Sequence, residues 1–205
     1  MTAAELYQLT VAERRRLASL LTGLTPQQWA AESLCSVWRI REVVAHLNTS
    51  ETQTSEAFEA EVTAAGGDVN LACDRTARAD TARFQDVELL DIYQRRILSR
   101  WTPGPEQHQA ALAHEVIHGL DITRPLGLPD PSPDVVAAAI AGAGSESVAF
   151  FGVDLTGVRL TADDVELTVG ADDPDGATQV RLPAVDLTLI VTGRAPLPRR
   201  TSEGP

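Results

Sequence analysis

Lysine is absent from all 205 residues, so each of the 17 basic residues is an arginine. This excludes Schiff-base catalysis, a pyridoxal-phosphate lysine and the lysine of a phosphate-binding P-loop. Cysteine is scarce: Cys35 and Cys73 stand far apart, with no CxxC spacing. A disulfide framework is not indicated, and a reducing compartment is expected. No stretch approaches the roughly 18 consecutive apolar residues that a membrane-spanning helix needs. The opening residues, Met1 to Arg16, show no apolar run ahead of a small-residue cleavage site, so they do not read as a secretory leader. The expectation is a cytoplasmic protein with no membrane partner. Positive charge is outnumbered by 29 acidic residues, for a formal net charge of -12. Such a surface repels a phosphate backbone, and no nucleic-acid partner is expected. The lysine-free, Ala- and Arg-rich composition also points to a GC-rich genome.

What is present is ordinary globular material. Hydrophobic residues make up 43% and charged residues 22%, close to the average soluble domain. A chain of this length can bury a real core without staples. Apolar residues recur at helical spacing over 3–22, from Leu6 and Leu9 to Leu20 and Leu21. Thr25-Pro26 predicts an N-cap followed by proline at the first helical position, opening a short helix through Trp29. After a loop at 33–38, Ile40, Val43, Val44 and Leu47 mark a second long helix running to Val62. Gly66-Gly67-Asp68 breaks the chain, and the polar, poorly periodic stretch 68–85 reads as a long connection. Val87 to Trp101 forms a third helix, and Leu112, Val116, Ile117 and Leu120 lie on a fourth.

Four long helices so joined predict a four-helix bundle over 1–133. Residues 134–150 read as one further Ala-rich helix. Beyond it, 158–160, 165–169, 178–182 and 186–192 show strand-like alternation separated by Gly157, Gly170, Gly176 and Pro183. The expected fold class is therefore α+β, a bundle followed by a small α+β domain over 134–197. A flexible tail, 198–205, is expected to close the chain.

Only four histidines occur, and two of them stand in Ala113-His114-Glu115-Val116-Ile117-His118. Spacing i, i+4 puts both imidazoles on one helix face, within reach of a single cation. The same spacing also arises by accident in a buried helix. His46, in Val43-Val44-Ala45-His46-Leu47, is the other histidine inside a strongly apolar helix. A lone histidine there is often a hydrogen-bonded core residue, yet bundle cores build metal sites from facing helices. Three imidazoles leave a coordination position open for a substrate. Zinc is the expected ion, with nickel or iron served by the same donors. His108 reads as a surface residue.

The string His114-Glu115-Val116-Ile117-His118 also fits the HExxH pattern, in which Glu115 would activate water in a zinc metallopeptidase. Glu115 lies about 100° around the helix from His114, and its plainer role is a solvated face. Asp121, one turn after His118, is placed to orient an imidazole from behind, or to hydrogen-bond a helix end. Arg124 can hold a carboxylate bidentately or serve the helix C-terminus.

These residues bring a family into view. Thr25-Pro26-Gln27-Gln28-Trp29, Ser33-Leu34-Cys35, and Trp38 through Val43-Val44-Ala45-His46-Leu47 resemble the opening of the mycothiol-dependent maleylpyruvate isomerase family. His118-Gly119-Leu120-Asp121-Ile122-Thr123-Arg124-Pro125-Leu126-Gly127 resembles the end of the metal-binding helix in its actinobacterial members. Val158-Arg159-Leu160, Pro183-Ala184 and Leu189-Ile190-Val191-Thr192-Gly193-Arg194 resemble its C-terminal domain.

The resemblance implies a DinB-like four-helix bundle holding a divalent metal, with the thiol mycothiol as cosubstrate. His46 and His118 match family ligands. The third ligand position is glutamate in the isomerases and histidine in DinB proteins; here it is His114. Arg194 matches an arginine implicated in activity. The implied function is a transferase or isomerase in which a metal-bound thiolate attacks a small electrophile. The competing expectation is a non-catalytic metal- or ligand-binding protein, with the metallopeptidase third.

Overall fold

The computed structural model describes residues 1–171 and 176–198, apart from the side chains of Ser145 and Glu146. Residues 199–205 of the expected tail lie outside the described residues. The chain divides into two compact units, Met1–Asp130 and the part from Pro131 onward. The first is helical and the second mixes helices with a small sheet, which is an α+β fold. No helix among the described residues is long and apolar enough to cross a membrane.

Helix α1 (Ala3–Thr22) starts at a capping box. The Glu5 amide donates to Thr2 Oγ1 at 3.3 Å, and Thr2 N–H donates back to Glu5 Oε2 at 2.7 Å. Thr25 and Gln28 repeat the device at α2 (Pro26–Trp29), with proline in the first turn as expected. Helix α3 (Ile40–Leu47) carries the apolar stripe Ile40, Val43, Val44 and Leu47, all fully buried. Fully burying one such side chain stabilises by about 1.5–3 kcal/mol.

The single long helix expected over 40–62 is instead three pieces. Helix α3 ends at Asn48, which is buried and whose Nδ2 donates to the Leu89 carbonyl at 2.9 Å. The short α4 (Thr49–Thr52) follows, Gln53 is extended, and Thr54 caps a new helix, α5 (Ser55–Ala64). A second correction concerns 68–85, which is not a connection. It contains the 15-residue helix α6 (Val69–Arg83), capped by Asp68, whose carboxylate accepts from Leu71 N–H at 3.0 Å. Its buried face is Ala72, Thr76, Ala77 and Asp80, too small and polar to register as hydrophobic periodicity.

Helix α7 (Asp86–Arg95) runs into a 3-10 turn at Arg96–Leu98, so the third helix ends earlier than its apolar pattern suggested. Helix α8 (His108–Thr123) carries the expected fourth-helix residues Leu112, Val116, Ile117 and Leu120 and ends before Pro125. In the core of this unit α1 packs on α8 and α7, while α3 packs on α6, α8 and α7. The metal-type histidines sit on α3 and α8, which pack against each other.

In the second unit the expected helix over 134–150 is two, α9 (Pro133–Ile140) and α10 (Ser145–Phe150), parted at Gly142, whose φ is +74°. Strand β1 (Val158–Ala162) is central. It pairs antiparallel with β2 (Thr168–Gly170) and parallel with β3 (Thr178–Leu182). Leu160 stands opposite Val169 on one side and Val180 on the other. The strand expected over 186–192 is a helix, α11 (Ala184–Val191). It is buried at nearly every position, so its apolar run carries no periodicity to separate helix from strand.

Candidate metal centre

Helix α3 presents His46 from within its buried stripe, and α8 presents His114 and His118 one turn apart. The three rings converge. Their centroids are 5.0 Å apart for His46 and His114, 4.7 Å for His46 and His118, and 4.9 Å for His114 and His118. One ring nitrogen from each lies within 4.8 Å of the others, a group that can hold one ion. All three side chains are half-buried, which leaves the cluster a way to solvent.

The donor set fits a divalent cation. His46 Nε2 and His114 Nε2 are 3.1 Å apart. An ion about 2.0–2.1 Å from each of two nitrogens at a tetrahedral angle separates them by about 3.3 Å. His118 Nδ1 meets Asp121 Oδ2 at 2.9 Å, which leaves Nε2 for a cation. Asp121 is fully buried, so this carboxylate holds the ring from behind, as ligating histidines are usually held. The Nδ1 atoms of His46 and His114 are buried without a hydrogen-bond partner among the described residues.

The electrostatics keep two of the rings neutral. Burial, then the neighbouring His118, push the His46 imidazolium well below its ordinary pKa, against the opposing pull of Asp121. His114 is depressed well below the ordinary value by burial, then by His118, His46, Arg96 and Arg14. Neutral imidazole is the form that binds metal.

Two tryptophans wall the cluster. Trp38 stands 4.9 Å from His46 and 6.3 Å from His118 between ring centroids, and Trp101 stands 5.3 Å from His114. Trp38 is fixed by its indole N–H, which donates to Asp74 Oδ1 at 2.9 Å. The sequence placed Trp38 in the family-like segment and Trp101 at the end of the third apolar helix, and marked neither as a wall of the site.

Glu115 corrects the sequence reading most sharply. Its expected solvated face is fully buried, because Arg14 of α1, Tyr93 of α7 and Arg96 close over it. Arg14 Nε donates to Glu115 Oε1 at 2.8 Å, and Arg96 Nη2 lies 2.8 Å from the same oxygen. Tyr93 donates its hydroxyl to Oε2 at 3.0 Å. Burial acts to raise the Glu115 pKa, but Arg96 and Arg14 outweigh it and hold the carboxyl below its ordinary value. The base that a peptidase reading requires is thus the anchor of a buried ion-pair cluster. Arg14 stands in Glu13-Arg14-Arg15-Arg16, and nothing in the sequence singled it out.

The remaining candidates have partners of their own. Arg124 caps the end of α8, and its Nη1 donates to Asp130 Oδ2 at 2.9 Å. Arg194 belongs to the second unit; its Nη1 donates to the Thr192 carbonyl at 2.7 Å, and its guanidinium carbon lies 5.6 Å from the Phe151 ring centre. His108 opens α8, half-buried, 3.6 Å from the Glu106 carboxylate.

Residues 10–121, more than half the chain, match the family model described as the Mycothiol maleylpyruvate isomerase N-terminal domain. The chain belongs to that family. The segment assigned to the mycothiol maleylpyruvate isomerase family contains His46, His114, His118 and Asp121, and it ends before Arg124 and Arg194. Separately, 62 residues are 50% identical to part of a glutamyl-tRNA(Gln) amidotransferase polypeptide of Salinispora tropica. The match covers 29% of this chain and spans only 11% of that relative's length. No solved structure matches the chain.

Proposed function

We propose that this member of the mycothiol maleylpyruvate isomerase family is a metal-dependent thiol transferase or isomerase that uses mycothiol on a small electrophilic substrate. The observation that carries the reading is the convergence of three imidazole nitrogens from α3 and α8 within 4.8 Å. In this reading His46, His114 and His118 hold the ion, zinc by preference with nickel or iron as alternatives. A divalent cation bound there supplies the positive charge that brings a thiol to its thiolate at neutral pH.

The chain's own residues do the rest. Asp121 keeps Nδ1 of His118 engaged and its ring in register. Trp38 and Trp101 give the substrate apolar walls and limit water. Arg124 is assigned to the substrate's carboxylate, to which a guanidinium donates two parallel hydrogen bonds, and Arg194 keeps the role in activity that the family resemblance implies. The thiol sulfur forms a bond to the electrophilic carbon as a carbon π bond of the substrate opens; the thiol gives its proton to solvent, and the substrate atom that receives the displaced electron pair takes one back from solvent. In a transfer that bond stays in the product; in an isomerisation it breaks again and the thiol is returned. No protein thiol is needed, and burial pushes Cys73 up to about 11, which leaves it protonated at neutral pH.

One observation favours a second reading, a non-catalytic protein that binds metal and ligand. The carboxylates nearest the histidines in sequence are both engaged, Glu115 by two arginines and a tyrosine and Asp121 by His118. Neither stands ready to take a proton.

The test uses metal-loaded and metal-free protein with mycothiol and a panel of electrophiles. Turnover that needs the metal supports the enzyme. Tight thiol binding with no product across the panel supports the binding protein and removes the enzyme reading.

A further inference from the structure

One residue along α8 from His114, the buried ion-pair cluster is out of balance. Arg14 and Arg96 bring two positive charges and Glu115 one negative, which leaves one positive charge in the interior. Arg14, Glu115 and Arg96 are each at most 1% exposed, so water does little to screen it. Protein acceptors take up only part of it: Arg14 Nη1 donates to the Ser99 carbonyl at 2.7 Å and to the Arg96 carbonyl at 3.5 Å. Arg14 Nη2 and Arg96 Nε, Nη1 and Nη2 form no hydrogen bond among the described residues, although Arg96 Nη2 approaches Glu115 as an ion pair. Glu115, on which both arginines close, directly follows His114 on α8. The histidines themselves bring no negative charge. Asp121, the carboxylate bonded to His118, stands on the far side of that ring's metal-facing nitrogen.

We propose that the Arg14–Glu115–Arg96 cluster biases the open position of the His46–His114–His118 centre toward anionic ligands over neutral ones, and so selects a thiolate and carboxylate-bearing substrates. The inference rests on the metal reading above and deepens it. Arg96 and Arg14 act as positioning charges; they need not touch the ligand. Coulomb energy in a partly shielded interior falls off slowly enough for one buried charge to alter anion affinity by about tenfold.

The experiment loads the protein with cobalt(II) and follows visible absorption while adding azide, an anion, or imidazole, a neutral ligand of similar reach, at fixed ionic strength. Arg96→Gln and Arg14→Gln each leave a balanced pair with Glu115. Each is expected to weaken azide about tenfold while imidazole stays within about twofold of wild type. Arg96→Lys keeps the charge and is expected to keep the azide affinity. Azide that ignores both glutamine variants, or azide and imidazole that weaken together, overturns the inference. If neither glutamine variant holds cobalt, Arg96→Lys decides: azide retained with imidazole supports the charge effect, and azide lost alone overturns it. A wild type that takes up no cobalt overturns the metal reading beneath. A wild type that binds cobalt but shows charge-blind azide affinity overturns this inference alone.

Discussion

His46 Nε2 and His114 Nε2 face one another at 3.1 Å across the contact between α3 and α8. Two imidazole nitrogens at that distance hydrogen-bond only if one carries the proton, whereas a cation between them uses both lone pairs. Purified protein is therefore expected to carry up to one equivalent of divalent metal by elemental analysis. His46→Ala and His118→Ala should each abolish tight uptake. Asp121→Ala, which frees the His118 ring, should weaken it by about 10–100-fold in a chelator competition. Wild-type uptake unchanged in all three variants would remove the centre.

Acid should destabilise the metal-free protein in two stages. His46 and His114 titrate well below their ordinary value in the folded chain, owing first to burial. In the unfolded chain they protonate near about 6.5. Below that point the unfolded state binds more protons, so stability falls as pH drops from about 6.5 through the folded values. Glu115, also depressed, adds a further decline that begins below about 4.3, the ordinary glutamate value. The melting temperature of the metal-free protein should be flat above about pH 7 and fall below it, less steeply in His46→Gln. A melting temperature that rises on acidification from pH 7 to 5 would contradict the neutral-ring assignment.

Tryptophan fluorescence offers a local readout. Trp38 and Trp101 stand against the histidines, while Trp29 is buried in the hydrophobic core. Cobalt(II) should quench emission on binding. Trp38→Phe and Trp101→Phe should each remove part of the quenching, and the double variant should leave a Trp29 signal that responds little.

The Glu115 cluster also bears on stability. Glu115→Leu leaves Arg14 and Arg96 buried with no counter-charge. Breaking a buried pair from one side costs about 3–5 kcal/mol. Urea unfolding should show a loss of that order for Glu115→Leu and a clearly smaller one for Arg96→Gln, which leaves a matched pair. Equal losses would mean that the cluster matters for packing alone.

In the second unit, Gly170 ends β2 with φ at +106°, and an added Cβ would collide with the Val158 carbonyl oxygen. Gly170→Ala is expected to destabilise this unit by at least about 1–3 kcal/mol. Gly157, whose φ is +67° but which has open space where a Cβ would go, should tolerate alanine better. Hydrogen exchange at β1 and β3 distinguishes the two.

The sequence by itself determined the features that follow from local chemistry. Thr25-Pro26 set a helix start, the apolar stripe Ile40–Val43–Val44–Leu47 set a buried helix, and His114 and His118 were bound to share a face because 3.6 residues make a turn. Only the tertiary structure decided what depends on neighbours distant in the chain. Helix α6 hides a small-residue face that acquires meaning when α3 lies against it, and α11, apolar all round, has no period to read. His46 meets His114 although 68 positions separate them along the chain, and Glu115 is turned from a solvated residue into a buried anion by Arg14, Tyr93 and Arg96. The reason is physical: burial and ion pairing are properties of what packs on a side chain, and packing partners leave no mark in the local pattern.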